Sequence, residues 1–311
     1  MINKFNRRRL ATKAFFVAYF GSVILAAPAI AHAQGGAVDA FYERTVMVVA
    51  DQRCHLFTPE LSSALGAASA QAHGAAMRSG QSSAVLDQVW WRARNAASSV
   101  ACNSRDIAVA ADRVRSAFDG YSHMQQMSFP GDTAAWTATR STSRTYTSWR
   151  LSQAEPFGWN HLMFGVAGKD HDAGLVAVGS FPDGARPYAA RLRVRDEARA
   201  PEPFLNMIRA STNGRLPLDA RMPPASATRA YLPEARGDAD VTLLPRGSST
   251  GMAFRFPWAA TDAISRLDPR EAIAVEFLFS NPSGGPDIIR TAYVEVGDFS
   301  AGRAFLASAQ R

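Results

Sequence analysis

The chain has 311 residues, of which 47% are hydrophobic and 20% charged, and it contains two cysteines. Its formal net charge of +7 invites a nucleic-acid reading, but five of the basic residues, Lys4, Arg7, Arg8, Arg9 and Lys13, sit together near the N-terminus. Without them 29 Lys and Arg face 27 Asp and Glu, a near-neutral balance that removes the electrostatic case for nucleic acid.

Residues 1–33 read as a cleaved export signal. The basic cluster precedes an apolar stretch from Phe15 to Ile30, and Ala31, His32 and Ala33 form an A-x-A cleavage site before Gln34. Adjacent Arg7 and Arg8 also fit twin-arginine export, while the length and apolarity of the core fit the general secretory route better. No later run approaches the roughly 20 apolar residues that span a bilayer, so the mature chain is expected to lack a transmembrane segment and to reside in the periplasm or outside the cell.

In such a compartment an even cysteine count argues for a bridge, here between Cys54 and Cys102. From Ala37 to about Tyr121 apolar residues recur at helical spacing in four stripes. Thr58, followed by Pro59 and Glu60, resembles an N-cap with proline at the first helical position. Gly80 stands where a helix would stop, and Ser104 can cap the fourth helix. With an up-down-up-down arrangement the first and third helices end at one pole, where Cys54 and Cys102 would meet. Residues 34–127 are therefore expected to form a disulfide-tied four-helix bundle.

Phe129, Pro130, Gly131 and Asp132 break this pattern, and residues 128–311 read as an antiparallel β-sandwich-like domain with short helical inserts, an α+β chain overall. Strands are expected around Trp136–Ser152, Trp159–Val166, Leu175–Phe181, Tyr188–Val194, Val241–Leu244, Met252–Trp258, Ala272–Phe279 and Ile288–Val296. Helical inserts are expected at 259–267 and 299–308. The Pro-, Ala- and Arg-rich stretch from Ala198 to Ala239 has no clear period.

Four features carry candidate chemistry. Gly247, Ser248, Ser249, Thr250 and Gly251 spell the G-x-S-x-G of a nucleophile elbow, but an elbow needs a helix behind its serine and here a strand follows, so Ser249 reads first as a hairpin turn. His171 lies among Lys169, Asp170 and Asp172 between two strands, a weak general-base candidate in what turn geometry alone would select. Arg191, Arg193 and Arg195 share one strand face and form a candidate anion-binding row, with neutralisation by Asp196 and Glu197 as the alternative. Trp90 and Trp91, adjacent on the third helix, cannot both enter the bundle.

The histidines lack zinc-motif spacing, so no metal is expected, and the absence of G-x-G-x-x-G, P-loop and EF-hand patterns gives no cofactor. These readings lead to an exported, non-enzymatic envelope or secreted binding factor, with an anionic envelope component as candidate partner. A hydrolase acting on envelope material and a structural oligomerising protein are the alternatives.

Overall fold

The computed structural model describes residues 30–170, 172–209 and 215–307; His171 and most of the expected leader lie outside the described residues. Four helices come first: α1 (Ile30–Cys54), α2 (Pro59–Arg78), α3 (Ser83–Ser99) and α4 (Arg105–His123). Helix α1 begins within the stretch assigned to the leader and continues through the A-x-A site.

The helix ends follow from local chemistry. Thr58 and Ser104 accept hydrogen bonds from the N–H groups of Leu61 and Ile107, three residues on, as N-caps do. Gly80, at a φ of 97°, turns the chain after α2 in the left-handed region that glycine tolerates. His55 closes α1 in the same region at a φ of 53°, its N–H donating to the Asp51 carbonyl. Asp51 then accepts from the Phe57 N–H and the Ser62 hydroxyl, joining the end of α1 to the start of α2.

Two apolar clusters fill this part. Phe41, Ala72, Ala76, Met77, Leu86 and Val89 join α1, α2 and α3. Met47, Leu61, Leu65 and Ala111, with Val114 and Phe118 beside them, bring in α4. Helices α1 and α3 run side by side in the same direction, so their C-terminal ends meet, and there Cys54 and Cys102 are bonded with Cα atoms 5.5 Å apart.

The remaining chain forms two antiparallel sheets. One has the order β1 (Gln126–Phe129), β2 (Trp136–Thr139), β3 (Ser148–Phe157), β4 (Asn160–Lys169), β5 (Asp172–Ser180), β9 (Met252–Phe256) and β8 (Ala235–Asp238). The other has the order β11 (Ile288–Glu295), β10 (Ala272–Phe279), β6 (Ala189–Arg195) and β7 (Thr228–Tyr231). Their inner faces share one core: Leu151, Leu162, Phe164, Phe254 and Phe256 from the first, Leu192, Val194, Val275, Phe277 and Val294 from the second. Helices α5 (Trp258–Arg266) and α6 (Phe299–Ala307) seal it, with Phe299 and Phe305 fully buried.

The register of β3 against β4 shifts between Trp149 and Leu151, and Gly165 lies opposite at a φ of 150°. A Cβ on Gly165 would stand 1.9 Å from the Leu151 carbonyl oxygen, so only glycine lets the two backbones approach this closely.

Three expectations need correction. Val241–Leu244 is not a strand: Val241–Leu243 is a 3-10 turn capped by Asp240, whose side chain accepts from the Thr242 N–H. The run was too short to distinguish a strand from a turn. The stretch 198–239 holds two short strands, β7 and β8, that its composition hid. Strand β1 starts at Gln126, so the expected boundary at 128 falls inside it.

Candidate functional site

The helices meet the sandwich along a seam centred on the last turns of α2. Gly74 lies against Pro269, where an added Cβ would come 2.9 Å from the ring, so its missing side chain permits the close approach. One turn on, Arg78 makes a two-pronged ion pair with Asp298, at 3.0 and 3.2 Å. A second tie is Arg140, which donates to the carbonyls of Tyr121, Ser122 and Met124 at the end of α4 and of Phe305 on α6, and lies over the Phe305 ring.

Behind the seam stands Glu295, fully buried at the end of β11. It accepts from the backbone N–H groups of Asp132, Thr133 and Ala134 and from the Thr133 hydroxyl, folding the loop after β1 around its carboxylate. Arg221 pairs with Asp132 at 3.1 Å and with Glu295 at 3.6 Å. Arg78, Asp132, Arg221 and Glu295 thus form a chain of alternating charge. Burial, with Glu295 adding to it, raises the pKa of Asp132, while Arg221 and Arg78 oppose the rise.

Glu155 on β3 is also buried, and its Oε1, like that of Gln153 two residues before it, has no hydrogen-bond partner among the described residues. Burial first and the charge of Glu295 second push its pKa up to about 7, from an ordinary 4.5. The folded protein therefore keeps a proton that the unfolded chain releases. The resulting stabilisation is complete below about pH 4.5 and is lost as pH rises through about 7. Glu155→Gln, which cannot ionise, is expected to flatten this pH dependence and to gain ~2 kcal/mol over the parent at pH 8. Urea unfolding of both proteins at pH 5 and pH 8 checks this, and an equal pH slope in the two would contradict it.

Two clefts open on either side of the seam. The larger, of about 500 Å³, is bordered by Phe41, Thr45 and Gln52 of α1, Ser69, Ala70, Gln71 and His73 of α2, Trp90 of α3, and Leu267, Pro269, Asp298 and Ser300 of the β-part. Its surface is amphipathic and nearly uncharged. Burial lowers the pKa of His73 against the pull of Asp268 and Asp87, favouring the neutral ring, which packs edge-on against Phe41. Thr45 and Ser69 share one hydrogen bond, and Asp298 is matched by Arg78 and Gln71. The second cleft, of about 430 Å³, carries Arg78, Arg215, Arg221 and Arg270.

The residues singled out by sequence are dispersed. Arg191, Arg193 and Arg195 do share a face of β6, with Leu192 and Val194 fully buried behind them. The strand register sets Glu276 opposite Arg191, and Glu276 pairs with both Arg191 and Arg193. Arg195 is buried and makes a two-pronged pair with Glu271. The neutralising carboxylates therefore come from across the sheet, whereas Asp196 pairs with Arg199 and Arg229, and Glu197 with Arg266.

Ser249 is exposed between the 3-10 turn and β9, with no partner among the described residues. His171 lies outside the described residues. Among the described residues no three His, Cys, Asp or Glu side chains converge as metal ligands, and no helix is long and apolar enough to cross a membrane. Trp90 borders the larger cleft, while Trp91 is 55% exposed beneath Arg94.

The seam residues were missed because their partners lie far away in the chain. Gly74 makes the close approach, but Gly66 in the same helix meets nothing within 4 Å, so glycine alone did not mark the contact. No family model matches this chain, and no curated protein or solved structure matches it either.

Proposed function

We propose that this chain is an exported, non-enzymatic binding factor that holds a small neutral, amphipathic ligand in the larger seam cleft. One observation carries the reading: a cleft of about 500 Å³ lies where the helices meet the sandwich, and its lining joins an aromatic wall to neutral amide, hydroxyl and imidazole groups. Junctions of this kind, of some 300–1,000 Å³ and with a few converging polar groups, are where small molecules commonly bind. A ring bearing hydroxyls and an amide answers both halves of the lining: its apolar face suits Trp90, and its polar edge suits Gln52, Gln71 and Ser300. An N-acetylated hexose is the simplest such ring in an envelope setting.

The test is a titration with the trimer of N-acetylglucosamine, followed by tryptophan emission and calorimetry. Saturable binding is expected for the parent protein. Ala70→Trp, at an exposed position on the rim, is expected to weaken it at least tenfold with the melting temperature unchanged. Absence of binding by the parent, or equal binding by Ala70→Trp, would contradict the reading.

A further inference from the structure

From the second seam cleft we infer a separate site for a phosphate group, distinct from the neutral cleft and from the β6 arginines. Four guanidinium groups line it, from Arg78, Arg215, Arg221 and Arg270, with Asp132 as the one carboxylate in the lining. The acids that hold three of these arginines, Asp298, Glu295 and Asp268, stand outside the lining.

The floor is preformed. The side chains of Arg78 and Arg221 are only 8% and 4% exposed, Arg78 being fixed by Asp298 and Arg221 by Asp132 and Glu295. Arg221 spends Nε on the Leu216 carbonyl and Nη1 on Asp132, which leaves Nη2. Arg270 spends Nε and Nη2 on Asp268, which leaves Nη1. Arg215 is exposed and has no ion-pair or hydrogen-bond partner among the described residues. Among the described residues Nη2 of Arg221, Nη1 of Arg270 and the Arg215 guanidinium thus carry no hydrogen bond, and guanidinium groups of this kind recognise a multiply charged oxyanion.

These arginines differ in this from those on β6. There Arg191 and Arg193 converge on Glu276, and Arg195 sits in the sheet on Glu271. In the cleft, four guanidinium groups border the opening with Asp132 as the one acid in the lining, and Arg215 among them has no carboxylate partner among the described residues. The turn Gly80–Gln81–Ser82 forms one rim, where the first turn of α3 adds a favourable dipole. Met77, Leu205, Met207 and Leu216 form an apolar border on the same cleft, so an alkyl or polyprenyl chain attached to the phosphate would also find contact.

Calorimetry with inorganic pyrophosphate, together with sedimentation with phosphatidylcholine vesicles with or without phosphatidic acid, tests the site. The parent is expected to bind pyrophosphate with an affinity that falls as salt rises. Arg215→Glu is expected to weaken that binding at least tenfold, and Arg215→Ala severalfold. Arg246→Glu, an exposed arginine elsewhere, should leave it unchanged. Additional binding to phosphatidic acid vesicles, displaced by pyrophosphate, identifies a lipid headgroup as the source; pyrophosphate binding alone identifies a soluble phosphate. No binding by the parent, or equal binding by Arg215→Glu, would overturn the site. Because the trimer titration addresses the other cleft, either site can fail without the other.

Discussion

Replacing Glu295 by alanine is expected to cost ~3–5 kcal/mol, a large share of the roughly 5–15 kcal/mol that holds a typical protein folded. The carboxylate is fully buried and accepts three backbone N–H groups and one hydroxyl of the loop at 132–134. Its removal leaves those donors without that acceptor and Arg221 with Asp132 as its one charged partner among the described residues. Unmade bonds of this kind cost more than the net value of the bonds themselves.

Glu295→Gln keeps the shape and one acceptor but turns an amide donor towards N–H groups, so an intermediate loss is expected. A further signature follows from Glu155, whose raised pKa owes part of its shift to Glu295. In Glu295→Ala the pH at which stability declines should move down. Urea unfolding at several pH values reads both effects, and a loss below about 1 kcal/mol would show that the loop does not depend on this carboxylate.

Removing the disulfide, by the double replacement Cys54→Ala with Cys102→Ala, is expected to cost about 4 kcal/mol on the chain-entropy account of a loop of this length. The two positions are 48 residues apart, and the bridge joins the ends of α1 and α3. Without it the α1–α3 contact rests on the small cluster around Phe41, Leu86 and Val89 and on Arg53, which reaches the carbonyls of Ser98 and Val100. For a chain of this size the melting temperature should fall by roughly 10 °C. Dithiothreitol should reproduce the shift in the parent and leave the double variant unchanged. A parent protein indifferent to reduction would contradict the stabilising role of the bridge.

Much of the architecture was legible because it is written locally. The helical stripes, Thr58, Gly80 and Ser104 placed the first four helices, and alternation from Tyr188 to Arg195 placed β6 with Leu192 and Val194 inward, although Arg195, expected on the open face, is buried. The run Ala272–Phe279 matched β10 at both ends. Local pattern failed where strands are four residues long, as in β7 and β8, and where a short apolar run closed a 3-10 turn at Val241–Leu243.

The seam was not legible, for a different reason. Glu295 meets a loop more than 160 positions earlier and Arg78 meets Asp298 across 220 positions. Nothing in the neighbourhood of either residue in the sequence marks it as paired. The same limit applies to Arg191 and Arg193: their partner Glu276 is chosen by register, which no single strand reveals.

The seam as the place of ligand binding is tested most directly by hydrogen exchange of the protein with the N-acetylglucosamine trimer and then with pyrophosphate. The account predicts slower exchange at residues 41–52, 69–73 and 297–301 with the sugar, and at 78–82 and 215–221 with the anion. Protection confined to the β6 face at 189–195, or to the turn around Ser249, would contradict it.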